Sequence, residues 1–147
     1  MTTSNPPLTA HDVSEMLLAR TGDAMLAGDF QSFMPCFHLP YEVETVDGHR
    51  SISTPDALHA TFNAVHAYFQ KLQVAIMARH CVSASFRADG EVAATHETRL
   101  IDCNGIIVQD PYPAFSILKR SENGEWKILS TSYVIVDSDE LNGALNG

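Results

Sequence analysis

Apolar side chains recur at helical spacing early in the chain, with Val13, Met16, Leu17, Ala24 and Met25 on one face. Thr9 stands where an N-cap is needed, Asp12 follows three positions later, and Gly28 supplies a stop. Asp29 can cap a short second helix carrying Phe30, Phe33, Met34 and Phe37, which Pro40 would close. Tyr41 to Val46 reads as a strand ending in an Asp47-Gly48 turn. Glu42 and Glu44 share its polar parity, so that side of the strand should face solvent. Thr54-Pro55-Asp56 then opens a third helix, whose stripe is Leu58, Phe62, Val65, Phe69 and Leu72.

Beyond Leu72 the period becomes alternating. Val74, Ile76, Ala78, His80, Val82, Ala84 and Phe86 share one parity, while Gln73, Arg79, Ser83, Ser85 and Arg87 dominate the other. Ala88-Asp89-Gly90 turns the chain into a returning strand, Glu91 to Ile101. Two registers compete. A three-residue loop sets Phe86 opposite Val92, and a two-residue Asp89-Gly90 loop sets it opposite Ala93. The longer loop keeps Val92, Ala94, His96 and Leu100 on the apolar face, at the expense of Arg79 opposite Arg99, and is preferred. Asn104-Gly105 marks the next turn. Pro111 and Pro113 demand an edge or a bulge before a strand from Ala114 to Arg120, and Asn123-Gly124 leads into a last strand, Trp126 to Val136. The order predicts an α+β domain over residues 9–137: three N-terminal helices packed on a long, curved, mainly antiparallel sheet. Residues 1–8 read as a loose, proline-bearing leader and residues 138–147 as a C-terminal tail.

Three segments carry a family likeness: Ala27-Gly28-Asp29-Phe30 between the first helices, Ser53-Thr54-Pro55-Asp56-Ala57-Leu58 opening the third, and Asn123-Gly124-Glu125-Trp126-Lys127-Ile128 leading the last strand. In that order and at those separations the chain resembles the nuclear transport factor 2 superfamily, which includes SnoaL-like cyclases and ketosteroid isomerases. The likeness runs from about Thr9 to Val136. It implies a cystatin-like cone in which the sheet curls around the helices and leaves a pocket at the open end. It also implies a homodimer formed through the convex face of the sheet. Such a fold does not by itself name a reaction. Aligned on the first and last of these segments, Glu44 falls near the isomerase base, and Thr21 and Ser116 stand where its two oxyanion donors would be. Two of three roles are missing, so steroid-type isomerisation is not the leading expectation.

Composition narrows the functional classes. The chain has 147 residues, 45% of them hydrophobic and 18% charged, an ordinary globular balance. Eighteen acids against nine bases leave a formal charge of −9, with no basic cluster to meet nucleic acid or an anionic membrane. No apolar run approaches the roughly 20 residues of a transmembrane helix, and no signal peptide is visible, so a cytoplasmic address is expected. Cys36, Cys81 and Cys103 lack paired spacing and read as buried, reduced thiols. His96-Glu97 has no second histidine of an HExxH motif, and His59 and His66 read as a solvated helix flank, so no metal is expected. No nucleotide-binding or serine-hydrolase motif occurs, and no cofactor is expected.

The candidate chemistry is histidine and tyrosine. In the preferred register His80 and His96 project from neighbouring strands onto the apolar face, where an imidazole can move a proton near neutral pH. The alternative is a hydrogen-bonded core histidine with no catalytic role. His38 and Tyr41 flank the junction where the implied pocket opens, and Tyr112 sits in the rigid Asp110-Pro111-Tyr112-Pro113 rim, all three suited to orienting a ligand. The expectation is a small-molecule-binding domain with His-mediated lyase, isomerase or cyclase activity on a hydrophobic ligand. A non-catalytic binding or dimeric assembly domain is the alternative.

Overall fold

In the computed structural model residues 7–88 and 90–147 are described. Most of the expected leader, and Asp89 of the expected turn, lie outside them. The first helix, α1 (Ala10–Ala27), starts with a reciprocal cap: Thr9 Oγ1 accepts from the Asp12 N–H at 3.0 Å and Asp12 Oδ2 accepts from the Thr9 N–H at 3.1 Å. Gly28 ends it with φ +66°, a left-handed conformation that glycine takes without steric cost. Asp29 caps α2 (Phe30–Phe33), and a single 3₁₀ turn follows at Met34–Cys36.

Here the second expected helix is shorter than its pattern. Phe37 already opens β1 (Phe37–Thr45), and Pro40 lies within that strand rather than closing a helix. The strand tolerates it because β1 pairs with the last strand at Phe37 and again only from Glu42, so Pro40 sits where the ladder is interrupted. A short β2 (Gly48–Ile52) completes the hairpin. The third helix, α3 (Pro55–Lys71), begins as expected, with the Ala57 N–H donating to Thr54 Oγ1 at 3.1 Å. It buries Leu58, Phe62, Val65 and Phe69.

Four strands follow: β3 (Val74–Phe86), β4 (Glu91–Asp102), β5 (Ile107–Arg120) and β6 (Trp126–Tyr133). With the first two they form one six-stranded sheet in the order β2-β1-β6-β5-β4-β3, antiparallel except where β1 meets β6. The expected α+β class stands, as a curved sheet packed with helices. Pro111 falls at a register shift against β4, and β5 pairs with β6 only from Ala114, so both prolines occupy the bulged, one-sided stretch that their missing N–H groups require. Residues 138–147 are not a loose tail. Ser138 caps α4 (Asp139–Asn146), whose Leu141 and Leu145 are buried against the core. Among the described residues no helix is long and apolar enough to cross a membrane.

The hairpin between β3 and β4 decides which side chains face inward. Phe86 pairs with Val92, the Arg87 N–H donates to the Glu91 carbonyl at 3.0 Å, and Gly90 has φ +70°, which is the longer-loop register. Further from the turn that register does not hold. Ser83 faces Thr95 but Cys81 faces His96, so one extra residue, at Val82, is inserted into β3. A bulge of this kind reverses the parity of everything beyond it. Below it Met77, Arg79 and Cys81 point toward the helices, and Ile76, Ala78 and His80 point away. Arg79 accordingly sits opposite Thr98 rather than Arg99, and the expected like-charge pair does not form.

Candidate functional site

The concave side of the sheet and the helices α1, α3 and α4 enclose a cavity of about 80 Å³. Its walls are mostly apolar, from Leu17, Phe33, Phe62, Phe69 and their neighbours, with a polar set drawn from four different strands beyond β3, from β3 itself, and from α1 and α3. That set comprises Tyr41 on β1, Arg79 on β3, His96 and Thr98 on β4, Tyr112 and Ser116 on β5, Thr131 and Tyr133 on β6, Ser14 and Thr21 on α1, and Thr61 on α3. Apolar walls with a few convergent polar groups are the usual character of a small-molecule site.

Of the five residues expected at a site, three line this cavity: Tyr41, Tyr112 and His96. His38 does not; its ring Nδ1 lies 3.4 Å from the Pro40 carbonyl oxygen, part of the strand's own local bonding. His80 is a correction. The bulge turns it to the convex side, where it is exposed opposite Glu97. In place of His80 the bulge brings in Arg79, which the strand's alternation had assigned to solvent. Other polar lining residues missed include Thr98, Thr131 and Tyr133. Thr98 was hidden by its alternation with Arg99 and Glu97, and Tyr133 by the uncertain parity of the last strand.

Arg79 is held from one side. Its Nη1 donates to Thr21 Oγ1 at 2.7 Å and to the Leu18 carbonyl at 3.3 Å, and Thr21 in turn donates to the Leu17 carbonyl at 2.8 Å. Its Nη2 lies 3.5 Å from His96 Nε2, a long contact at the edge of hydrogen-bond range. A guanidinium has only donors, so this nitrogen of His96 is the acceptor and Nδ1 carries the ring proton. His96 is 2% exposed. Burial first, then the positive charge of Arg79, then His80, push its pKa down to about 3. Burial likewise raises the Tyr41 and Tyr112 phenols, with Tyr133 adding to both, so at neutral pH each carries its proton and can donate. The cavity therefore offers phenol donors, one permanent cation and one neutral imidazole.

Glu44 is exposed, and no Asp or Glu lines the cavity among the described residues, so no carboxylate base is available there. Thr21 and Ser116 do face inward, as hydroxyls; Ser116 Oγ is 3.2 Å from Thr131 Oγ1. Among the described residues no three His, Cys, Asp or Glu side chains gather as a metal site would require. Cys36 and Cys81 are buried and Cys103 is exposed, against the expectation that all three are internal. Burial pushes the Cys36 thiol up, away from the thiolate a nucleophile needs. His66 is half-buried rather than solvated: its Nδ1 is 2.8 Å from the Met25 carbonyl oxygen and its ring stacks on Phe62.

The state of His96 has a consequence for stability. The folded chain refuses a proton that the unfolded chain accepts near the ordinary value of 6.5. Between that pH and about 3 the unfolded state binds more protons, so stability is full above 6.5 and declines as the pH falls. The loss should be on the order of 2 kcal/mol between pH 7 and pH 5. H96Q should remove that part of the slope. Urea denaturation of both proteins at the two pH values checks it, and parallel declines would refute the assignment.

An α-helical layer wrapped by a curved sheet around an internal cavity defines a cystatin-like, nuclear transport factor 2-like fold, the class expected from the sequence. No protein-family model matches the chain, and no curated protein matches it. Solved structures do. A protein of unknown function from Nostoc punctiforme with a cystatin-like fold is 14% identical, with a TM-score of 0.67 over 90% of this chain and 97% of that one. A nuclear transport factor 2-like protein from Novosphingobium aromaticivorans is 16% identical, with a TM-score of 0.65 over 94% and 90% of the two chains. A protein from Catenulispora acidiphila, solved in complex with S-DNPA, is 17% identical, with a TM-score of 0.62 over 83% and 90%. At these identities the likeness is one of fold.

Proposed function

We propose that this protein binds a small, largely apolar molecule in the cavity between its sheet and helices, and that His96 is the group there able to exchange a proton with it. The observation that carries the reading is the convergence of Tyr41, Tyr112, His96 and Arg79 on one apolar hollow. The similarly folded Catenulispora acidiphila protein was solved in complex with S-DNPA, which supports a ligand-binding reading. Size limits the ligand. At about 80 Å³ the cavity is smaller than the roughly 150 Å³ apolar cavity known to admit benzene. A short chain is therefore the body that enters the walls as they stand, and a single ring enters only as they give way.

The roles follow from the protonation states. Tyr41 and Tyr112, both protonated, orient a ligand oxygen by donating to it. His96 is a weak base while the cavity is empty. Protonating a group of pKa about 3 at neutral pH is uphill by about 5 kcal/mol. Proton transfer to it therefore needs a ligand that stabilises the imidazolium, and in the empty protein His96 acts as a hydrogen-bonding group. The reading predicts that filling the hollow removes binding. Ser116→Leu should keep the fold, at a cost of about 1–3 kcal/mol for overpacking, and lose uptake of toluene and p-cresol seen by ligand-observed NMR in the unaltered protein. If the substituted protein binds both as well as before, the cavity is not the site.

A further inference from the structure

The cavity holds a permanent charge that no described side chain neutralises. Among the described residues Arg79 is the only lining side chain that stays charged at neutral pH. No described carboxylate forms an ion pair with it. Glu15 on α1, an acid near β3, is engaged elsewhere: its Oε1 accepts the Cys81 backbone N–H at 3.2 Å and lies 3.4 Å from His11 Nε2. Within the guanidinium, Nη1 is fully used by Thr21 and Leu18, whereas Nε is enclosed and has no partner and Nη2 has only the long contact to His96. A half-buried guanidinium with an unpaired edge is costly, and a buried charge usually has a counter-ion.

We propose, resting on the ligand-cavity reading above, that the ligand is a small organic anion: a monocarboxylate with a single-ring or short-chain apolar body, its carboxylate paired with Nη2 of Arg79 and, as the side chain turns to uncover the enclosed Nε, with the whole Nε–Nη2 edge. A carboxylate supplies two oxygens in the planar geometry that this edge matches, and charge-assisted bonds of this kind are about twice as strong as neutral ones. One cation neutralises one negative charge. A dianion would bring a second charge into apolar walls with no partner, so the class is a monoanion. The protonated phenols of Tyr41 and Tyr112 favour the same ligand, since both are donors and anions are acceptors. Pairing also bears on His96. It cancels the Arg79 field, leaving burial and His80 as the remaining causes of its low basicity. An anionic ligand thus returns basicity to the imidazole beside it.

The test compares benzoate with benzamide, its neutral isostere, by calorimetric or NMR titration of the full chain near pH 7.5. Benzoate should bind roughly 10-fold tighter or more, the difference expected of a charge-assisted pair. Arg79→Met should abolish that preference, and Arg79→Lys should keep part of it, because the charge remains while the fork is lost. If Arg79→Met fails to fold, the Arg79 side-chain N–H resonances of the unaltered protein serve instead, and should shift with benzoate and not with benzamide. Equal binding of the two compounds, or benzoate binding unchanged by Arg79→Met, overturns the proposal. Uptake of toluene and p-cresol without a benzoate preference overturns it while leaving the cavity reading intact, and uptake of no compound at all sinks both.

Discussion

Replacing Phe62 with alanine should lower the unfolding free energy by about 3–5 kcal/mol, the range for removing a large buried aromatic ring. Phe62 is 2% exposed and lies at the centre of the stripe that α3 turns inward. Its ring centroid is 4.8 Å from Phe33, 5.5 Å from Phe30 and 6.1 Å from His66, which joins α2 to α3 through aromatic contacts. Phe62 also lines the cavity. Truncation would enlarge a hollow that the walls already leave unfilled, so little collapse is available to offset the loss. Because a domain of this size is stable by only about 5–15 kcal/mol, the variant should unfold at a much lower urea concentration. A midpoint within experimental error of the parent would mean that α3 does not anchor the site as described.

Ending the chain after Val136 should cost about 3–6 kcal/mol, from two buried leucines at about 1.5–3 kcal/mol each. Leu141 and Leu145 of α4 line the cavity, so the same truncation opens it to water. Their helix is tied down by polar contacts. Asn142 Nδ2 donates to the Ile135 carbonyl at 2.9 Å, and Lys71 Nζ meets Glu140 Oε2 at 3.0 Å. At its entry Tyr68 Oη donates to Gln109 Oε1 at 2.7 Å and lies 2.9 Å from Ser138 Oγ, while Gln109 Nε2 donates to Asp137 Oδ1 at 3.0 Å. The buried leucines outweigh the exposed Lys71–Glu140 pair, which contributes little at the surface. Urea denaturation of the shortened chain, with ligand titration beside it, checks both effects. Unchanged stability would show that the segment merely rests on the core.

The largest part of the architecture was legible from local signals. The caps at Thr9 and Thr54, the left-handed stop at Gly28 and the stripe from Leu58 to Phe69 each specify their own element, because the physics involved spans one or two turns of chain. The turn register at Gly90 was legible for the same reason: only the longer loop keeps Val92 and Ala94 on the apolar face. The α4 helix carried a signal too weak to stand alone. Ser138, Leu141 and Leu145 are correctly spaced, but an eight-residue helix has no stability until it docks, and docking is a property of the rest of the molecule.

The site was divided in the same way. His96 could be placed from parity, because alternation along β4 runs unbroken from the Gly90 turn, and Tyr41 and Tyr112 from their places at the pocket junction and in the rigid rim. Arg79 and His80 could not. Val82 and Ser83 are both at home in a strand, with no Gly or Pro to announce that a residue has been inserted there, and yet that insertion exchanges the faces of the two side chains. Sequence by itself determined α1, α3, the main body of the long strands and the hairpin next to the turn, where each residue's neighbours along the chain set its energy. Only the tertiary structure decided that an arginine rather than a second histidine enters the cavity. That choice depends on how β3 must bend to follow β4 around the helices, and such a bend is set by long-range packing rather than by any local preference of the residues that make it.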